Sequence, residues 1–324
     1  MGIAPTYATD RRGNFADYRM LGAERATRVT PLAKRGSEGP VAAAITKTLN
    51  HCTPRPGRIT LTRLPTDSPW QELLGNEWPT VGSWTVRRYW MPAPYVTLGS
   101  TGFDDWLAAK SSNFRQQMRR SRLKLERNGA TFRASSSVEE AHRDLGTFAE
   151  LHLERWDKKG GSGTLTPGVV PMLEEVAEKL LPSGRFKIWN IDVGETTICS
   201  LVFLIAGNEV SWWLGGWDEG WANQRPGLVG LLYALERAFE DGAGRFDLGG
   251  GYLPYKYRFA DSEELLTRTY VVMPGLLHVL RRPETLRLAV TQAASRRVSW
   301  STKDRLRKVA GRVRRHRDVR SGES

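Results

Sequence analysis

The fold is decided by residues 186–251, where five short apolar segments follow one another: FKIWNID (186–192), TICSLVFLIA (197–206), EVSWWLGGW (209–217), LVGLLYALERAF (228–239) and RFDL (245–248). The first three have the length of strands and are separated by turn residues, so they predict an antiparallel meander. The fourth places leucines at spacings of 3, 4 and 7, the pattern of a buried helix face. A strand, a crossover helix and another strand favour parallel pairing with a right-handed crossover. The predicted class is therefore α/β (α+β), with a mixed central sheet that contains an antiparallel meander and a βαβ crossover.

The rest of the chain gives weaker local signals. Residues 1–40 are polar and weakly patterned, and they are expected to be largely irregular. Ser100 or Thr101 is expected to cap a short helix, and Ser137 with Glu140 fits a capping box. The remaining predicted elements are helices at 40–50, 113–128, 137–156 and 168–181, and strands at 58–64, 84–89 and 130–134.

The positive charge is concentrated in two segments. The 324 residues include 48 Lys+Arg and 35 Asp+Glu, a formal net charge of +13. Residues 276–324 carry +10 and residues 110–133 carry +7, which leaves a net of −4 on the remainder. A generally basic nucleic-acid-binding body is therefore not expected, and each segment needs a local explanation. The row Arg115, Arg119 and Arg122 is either a solvated helix face or a ridge that contacts phosphates.

Several protein classes are not expected. The two cysteines, Cys52 and Cys199, lie far apart and show no metal spacing, so neither a disulfide framework nor a zinc site is predicted. The five histidines show no metal spacing either, and no metal is expected. No apolar run approaches the ~20 residues of a membrane span, and the first residues show no signal-peptide pattern. A soluble cytoplasmic protein is the default expectation.

The link into the crossover helix reads NQRPGLVG (223–230). Glycines at a strand–loop–helix junction let a ligand approach the backbone, and the first amides of a helix are suited to a diphosphate. An ordinary turn at a helix start is the alternative.

Four stretches in the same order resemble one branch of the GNAT acyltransferase superfamily. NQRPGLVG resembles the acyl-CoA pyrophosphate loop, with Val229 where the pattern has Gly or Ala. FDLGGG (246–251) followed by YKYRF (255–259) resembles a signature of CelD/BcsL-type acetyltransferases, which are relatives of the FemABX peptidyltransferases. LHLERW (151–156) and FRQQMRR (114–120) resemble two further motifs of that branch.

The resemblance implies two tandem GNAT-like domains and an acetyl-CoA or other acyl-CoA cosubstrate. The expected domains are a reduced N-terminal domain at 1–134 that includes the Arg-rich helix, an acyltransferase domain at 135–275, and a basic helical tail at 276–324. The first domain is expected to be reduced because only about 100 residues precede the Arg-rich helix. The meander's last strand and the strand after the crossover helix are expected to splay apart around the acyl group. The implied cofactor-binding residues are Trp217, Gln224, Arg225, Gly227, Leu228 and Gly230, and the implied substrate-binding residues are Arg115, Arg155 and Trp156.

Three catalytic candidates follow from the resemblance, each with a structural alternative. Asp247 would position or deprotonate the acceptor amine, or else cap the glycine turn. Tyr255 would protonate the departing thiolate, or else pack in the core. Lys256 would neutralise a substrate anion, or else be a surface lysine beside Asp261 or Glu263. For His152, on an apolar stripe, a satisfied core histidine is favoured over a catalytic base.

The leading hypothesis is an acyl-CoA-dependent N-acyltransferase that acts on a small-molecule or sugar-linked amine. The alternatives are a FemABX-like transferase that uses aminoacyl-tRNA and a non-catalytic GNAT-like protein that binds nucleic acid or membrane. The basic tail suggests contact with an anionic membrane surface or RNA, which would place the protein at the inner face of the membrane.

Overall fold

A computed structural model describes residues 1–78, 83–99, 102–157 and 160–273, together with Arg287. The strands are β1 (Gly2–Ile3), β2 (Thr6–Arg12), β3 (Phe15–Met20), β4 (Leu32–Ala33), β5 (Arg55–Pro65), β6 (Trp84–Thr97), β7 (Ala130–Ala134), β8 (Phe186–Val193), β9 (Thr196–Ala206), β10 (Glu209–Trp217), β11 (Arg245–Asp247) and β12 (Ser262–Val272). The α-helices are α1 (Glu38–Asn50), α2 (Trp70–Asn76), α3 (Phe103–Ala108), α4 (Ser112–Arg127), α5 (Val138–Asp157), α6 (Val169–Leu180), α7 (Pro226–Glu240) and α8 (Lys256–Phe259).

The described chain divides into two compact units. Unit 1 contains Met1–Ala93, Gly250–Tyr252 and the described residues from Glu264 onward. Unit 2 contains Pro94–Gly249 and Leu253–Glu263. These boundaries differ from the predicted ones at 134 and 275, because α4 falls in unit 2 and most of β12 falls in unit 1.

Unit 1 is built on β3 and β5, which pair in parallel through the connection that contains α1. β2 pairs antiparallel with β3, and β12 pairs antiparallel with β5. The expectation that residues 1–40 are irregular was wrong. The strand signal of β3 is obscured by Asp17, which is fully buried because Thr60 donates a hydrogen bond to it at 2.8 Å and Arg58 forms an ion pair with it at 2.8 Å.

Unit 2 has the predicted strand order. β7, β8, β9 and β10 form an antiparallel meander, and α7 carries the chain to β11, which pairs in parallel with β10. The other edge of β11 pairs antiparallel with the end of β6, with Asp247 opposite Tyr95. The prediction of a mixed sheet with an antiparallel meander and a βαβ crossover is confirmed.

Helix α4 belongs to unit 2 because its apolar side packs into that unit's core. Phe114, Met118 and Leu125 are buried in the same cluster as Leu231 and Leu235 of α7. The helix begins at Ser111, whose side chain accepts a hydrogen bond from the amide of Phe114 at 3.3 Å. The apolar spacing predicted the helix itself but could not say which unit it packs against.

Helix α5 covers the opposite face of the same sheet. Leu145 and Phe148 are buried with Ile188 and Val202 of the strands. The predicted capping residue Ser137 accepts a hydrogen bond from the amide of Glu140 at 3.2 Å. The Glu140 carboxylate accepts from the backbone of Ser136 at 2.7 Å, so the reciprocal half of the box involves the residue before the predicted one.

Two predictions concern residues outside the described ones. These are the cap at Ser100 or Thr101 and the basic tail at 276–324, of which only Arg287 is described. Among the helices of the described part, none combines the length and apolar character that crossing a membrane requires.

Candidate functional site

Strands β10 and β11 are paired over a short stretch only. The parallel register joins Glu209–Ser211 to Arg245–Asp247, where β11 ends, while β10 continues to Trp217 against β9. The register with β9 shifts between Trp212 and Leu214, which marks a bulge. A bulge bends a strand and redirects its side chains. The pairing of β10 with β11 therefore ends at Ser211, next to this bulge, and the divergence of the two strands stays a prediction.

Helix α7 starts from a strained residue. Arg225 precedes it in the left-handed region (φ 53°, ψ 52°), and Pro226 occupies its first turn. Because proline lacks an N–H, Gly227 carries the first backbone donor of the helix. The next two amides, of Leu228 and Val229, donate to the Arg225 carbonyl at 3.0 and 3.1 Å. The helix start thus offers fewer free donors than the sequence suggested.

The glycines of this link have a packing role. A Cβ on Gly227 would lie 2.7 Å from the ring of Trp217, and one on Gly230 would lie 3.0 Å from Leu201. The first distance is shorter than real Cβ contacts and the second is at their lower limit, so glycine lets α7 approach β10 and β9. The side-chain oxygen of Gln224, just before the helix, is buried with no hydrogen-bond partner among the described residues.

Arg155 joins helix α5 to this junction. Its guanidinium lies 3.5 Å from the centroid of the Trp217 ring, a cation–π contact, and its Nε donates to Glu219 at 3.0 Å. It also lies 5.8 Å from the Trp156 ring. Burial lowers the pKa of Arg155, opposed by Glu219. The predicted pairing with an acidic neighbour is present, and one face of the arginine is engaged by Trp217.

Asp247 lies at the end of β11 and is fully buried. Its Oδ1 accepts from the amide of Gly249 at 2.6 Å, which is the predicted glycine-turn cap. Its Oδ2 lies 3.5 Å from the guanidinium of Arg245. Oδ2 is buried and accepts no hydrogen bond from the described residues, so one carboxylate oxygen keeps its acceptor capacity.

Tyr255 and Lys256 meet Trp212 at the bulge. The rings of Trp212 and Tyr255 form an edge-to-face contact with centroids 6.2 Å apart. Lys256 is 5% exposed; its Nζ donates to the Gly249 carbonyl at 3.0 Å and lies 5.8 Å from the centroid of Trp212. The alternative of a surface lysine was therefore wrong, because Gly249 and Trp212 provide a buried ammonium with an acceptor and a π face.

Burial also governs the protonation of the tyrosine. It raises the pKa of Tyr255 above the usual value near 10, and the positive charge of Arg155 opposes this. Tyr255 therefore holds its proton throughout the physiological range. The contacts from Asp247 through Gly249, Lys256 and Trp212 to Tyr255 form one continuous cluster, the "bulge cluster".

His152 is a core histidine, as the sequence favoured. It is 1% exposed, with Nδ1 3.0 Å from the Gly215 carbonyl and Nε2 2.9 Å from the Ser162 hydroxyl. Burial lowers its pKa, so the ring is held neutral. Both ring nitrogens are occupied, which argues against a role as general base.

Arg115 lies away from the bulge cluster. Its guanidinium donates to the carbonyls of Ala108 and Lys110, which end helix α3. Arg115, Arg119 and Arg122 line a cavity of about 490 Å³ beside Leu232. The structure joins two groups of sequence-predicted site residues. Asp247, Lys256 and Tyr255 are linked through Gly249 and Trp212. Arg155, Trp217 and Gly227 meet at the start of α7, whereas Arg115 stabilises the α3–α4 connection.

Sequence reasoning passed over Arg120 and Lys124 of α4. With Asn223 and Arg225 they line a separate cavity of about 300 Å³ next to the start of α7. Their spacing with Gln117 and Ser121, at i, i+3, i+4 and i+7, is the signal that marks one helix face. Within the described residues there is no group of three or more His, Cys, Asp or Glu side chains arranged to hold a metal ion.

Comparisons with known proteins agree with this architecture. Residues 112–257 match the family model described as "Acetyltransferase (GNAT) domain". Among solved structures, FemX matches with a TM-score of 0.58 and 12% identity over 87% of this chain and 90% of its own. The C-terminal domain of a putative lysylphosphatidylglycerol synthetase from Agrobacterium fabrum matches with a TM-score of 0.55 and 10% identity, over 90% of this chain and 88% of its own.

L-PGS from Bacillus licheniformis gives a TM-score of 0.52 and 13% identity over 88% of this chain and 87% of its own. A search of curated proteins found no significant match. At these identities the structural similarities concern the fold. Residues 112–257, less than half of the chain, resemble a GNAT acetyltransferase domain, and the chain shares the fold of FemX.

Proposed function

We propose that this chain is an acyl-CoA-dependent N-acyltransferase of the CelD/BcsL type, which transfers an acyl group to an amine of a small or sugar-linked acceptor. The observation that carries the proposal is that the pairing of β10 with β11 ends at Ser211, next to a bulge at Trp212, while β10 continues to Trp217 beside a glycine-containing helix start. An extended thioester arm fits between two diverging strands, where strand-edge backbone groups can bind its amides. A diphosphate fits the start of α7, where Gly227 offers its N–H and where Gln224, whose Oε1 has no partner among the described residues, can turn its NH₂ group toward the ligand.

The chemistry is an acyl transfer in which two protons are relocated. Asp247 accepts a proton from the acceptor amine, directly or through one water, at Oδ2, which lies 3.5 Å from the Arg245 guanidinium and accepts no hydrogen bond from the described residues. The amine nitrogen then forms a bond to the thioester carbonyl carbon, and the carbon–sulfur bond breaks. Tyr255 donates its proton to the departing thiolate, and its raised pKa keeps it in the donating form. Each such transfer contributes about 10²–10⁴-fold to a rate.

Lys256 acts on this site through its position. Its ammonium holds the Gly249 carbonyl and so fixes the turn that Asp247 caps. It also brings a positive charge to Trp212, beside the diverging strands. We therefore assign it the role of holding the turn and favouring negative charge as the acyl carbonyl becomes an oxyanion.

The test is direct. The full chain is titrated with CoA by calorimetry, and acetyl transfer to a panel of amino sugars and amino acids is followed by release of the free thiol. Tyr255→Phe should lower the rate by about 10²-fold or more while CoA affinity stays within about twofold. Tyr257→Phe is the matched control, because that hydroxyl bonds to Glu263. Absence of CoA binding to the wild-type chain would refute the proposal and favour a non-catalytic GNAT-like protein. Mass spectrometry of a copurified thioester would identify the acyl chain.

A FemABX-like transfer from aminoacyl-tRNA is the second candidate. It is favoured by the fold similarity to FemX, to the domain of a putative lysylphosphatidylglycerol synthetase and to L-PGS, which extends over 87–90% of the chain. It predicts transfer that depends on RNA and falls steeply as salt increases, because each phosphate contact releases counterions. Transfer from acetyl-CoA has no such RNA requirement, so adding ribonuclease to the assay separates the two.

The basic tail at 276–324 is proposed to rest on an anionic membrane surface. Its net charge of +10 with interspersed Val, Leu and Trp is the composition of an interfacial segment. Deleting residues 283–324 should abolish flotation with phosphatidylglycerol vesicles and leave CoA binding unchanged. Binding of RNA in place of vesicles would overturn the membrane assignment.

A further inference from the structure

A small polar cavity lies beside the start of α7, and we call it the α4–α7 cavity. It has a volume of about 300 Å³, the lower end of the range for small-molecule sites. Three of its eight lining residues are cationic: Arg120 and Lys124 from α4, and Arg225 from the residue before α7. None of the eight is acidic, so the lining of the cavity carries a net positive charge, contributed by α4 and by the residue before α7, both in unit 2.

The three cations contrast with other arginines of unit 2. Arg122 is bound to Glu126 at 3.0 Å and to Glu236 at 3.2 Å. Arg120, Lys124 and Arg225 have no side-chain hydrogen bond or ion pair with any described residue. Like charges placed around one cavity repel one another, so this arrangement favours an anion as its occupant.

An uncharged side chain in the same cavity supports that interpretation. The Oε1 of Gln117 is buried and has no hydrogen-bond partner among the described residues. A buried side-chain oxygen without a hydrogen-bond partner lowers the stability of the folded state. Rotation about its last side-chain bond exchanges the oxygen and the nitrogen, so the same amide can present its NH₂ group to an anionic oxygen.

We propose that the α4–α7 cavity binds the phosphate monoester of the acyl donor's nucleotide, with Arg120, Lys124 and Arg225 as its ligands. This rests on the proposed function, in which the donor is a CoA thioester that carries a 3′-phosphate as well as a diphosphate. A phosphate monoester carries a charge of about −1.5 to −2 at pH 7, which suits three convergent cations. The cavity adjoins the helix start assigned to the diphosphate, because Asn223 and Arg225 line it and immediately precede Pro226. Helix α4 thereby becomes a specificity element for CoA over dephospho-CoA.

The experiment compares CoA with dephospho-CoA, which lacks only the 3′-phosphate, by calorimetry on the full chain. The wild-type chain should bind CoA about tenfold more tightly or better. The double variant R120Q/K124Q should reduce that ratio to about twofold or less, and its affinity for dephospho-CoA should be unchanged. The matched control R119Q/R127Q removes the same charge from the same helix at positions that do not line the cavity, and it should retain the preference.

The outcomes separate this proposal from the one on which it rests. Equal affinity of the wild-type chain for CoA and dephospho-CoA would refute the phosphate site and leave the acyltransferase proposal standing. Loss of the preference in the control variant as well would refute direct ligation, because long-range charge alone would then explain it. If neither nucleotide binds, the acyl-CoA proposal itself fails. If, in addition, a deacylated tRNA binds and R120Q/K124Q weakens it, the cavity serves RNA phosphates instead. Thermal unfolding of each variant shows whether a change in binding reflects a change in folding.

Discussion

Strand β10 packs closely against helix α5 at Gly216. A methyl group added at Gly216 should destabilise the protein, whereas one added at Gly146 of α5 should not. A Cβ on Gly216 would lie 2.7 Å from the His152 amide nitrogen, 2.9 Å from the Leu151 Cβ and 2.9 Å from the Phe148 carbonyl oxygen. Ordinary van der Waals contact begins near 3.4 Å, so α5 would have to move away by about 0.5–0.7 Å. All three atoms belong to the helix backbone or adjoin it, and no side-chain rotation relieves them.

The Gly216→Ala variant should therefore lower the free energy of unfolding by about 1–3 kcal/mol, the usual cost of overpacking a core. Gly146 lies within α5 itself, and a Cβ there would meet nothing within 4 Å. Gly146→Ala should raise the free energy of unfolding by about 0.5–1 kcal/mol, because alanine is the better helix former. Urea denaturation monitored by circular dichroism measures both changes. A Gly216→Ala variant as stable as the wild type would refute this close packing of α5 on β10.

Three further predictions concern titration and charge. Because burial raises the pKa of Tyr255, the loss of kcat at alkaline pH should begin above pH 10. This loss should be absent from the residual activity of Tyr255→Phe. A loss of kcat near pH 8 in the wild type would exclude Tyr255 as the general acid. Burial lowers the pKa of His152, so the unfolded state binds more protons and the free energy of unfolding should fall as the pH drops below about 6.5. The urea midpoints at pH 7.5 and 5.5 should therefore differ less in His152→Gln than in the wild type. An equal difference in the two proteins would contradict this prediction. Arg133 forms ion pairs with both Asp144 and Asp192, so Arg133→Met should lower the free energy of unfolding by about 1–3 kcal/mol in the same denaturation assay. This is less than for a fully buried pair because Arg133 is 33% exposed. No loss of stability would mean that water replaces the arginine as partner of the two carboxylates.

The sequence predicted unit 2 well because its signals are local. The apolar spacing of α7, the Gly207-Asn208 turn and the capping serine of α5 each lie within a few residues of the element that they specify. Unit membership depends instead on partners that are distant in sequence. In the pairing of β12 with β5, Thr269 lies opposite Leu61, and the residue pattern of neither strand predicts this partner.

The sequence named candidate residues for the site, but the contacts of those residues depend on neighbours that the sequence does not specify. The glycines of the α7 link matched a ligand loop, while their Cβ positions face Trp217 and Leu201. Lys256 has a lysine's usual surface preference in sequence, and its buried position follows from Gly249 and Trp212, which a linear pattern does not bring together. Individual contacts of this kind decide whether a charged side chain meets solvent, substrate or backbone.

Strand β12 has a consequence for how the chain is made. Unit 1 begins at Met1 but needs Glu264 and the residues after it to pair with β5, whereas unit 2 is complete once Glu263 has been synthesised. During synthesis, residues 1–93 emerge before Glu264, so the edge of β5 that β12 later occupies stays unpaired while unit 2 is being completed. Open strand edges are sites of aggregation, so this order of synthesis exposes the edge of β5 to aggregation until β12 has been made.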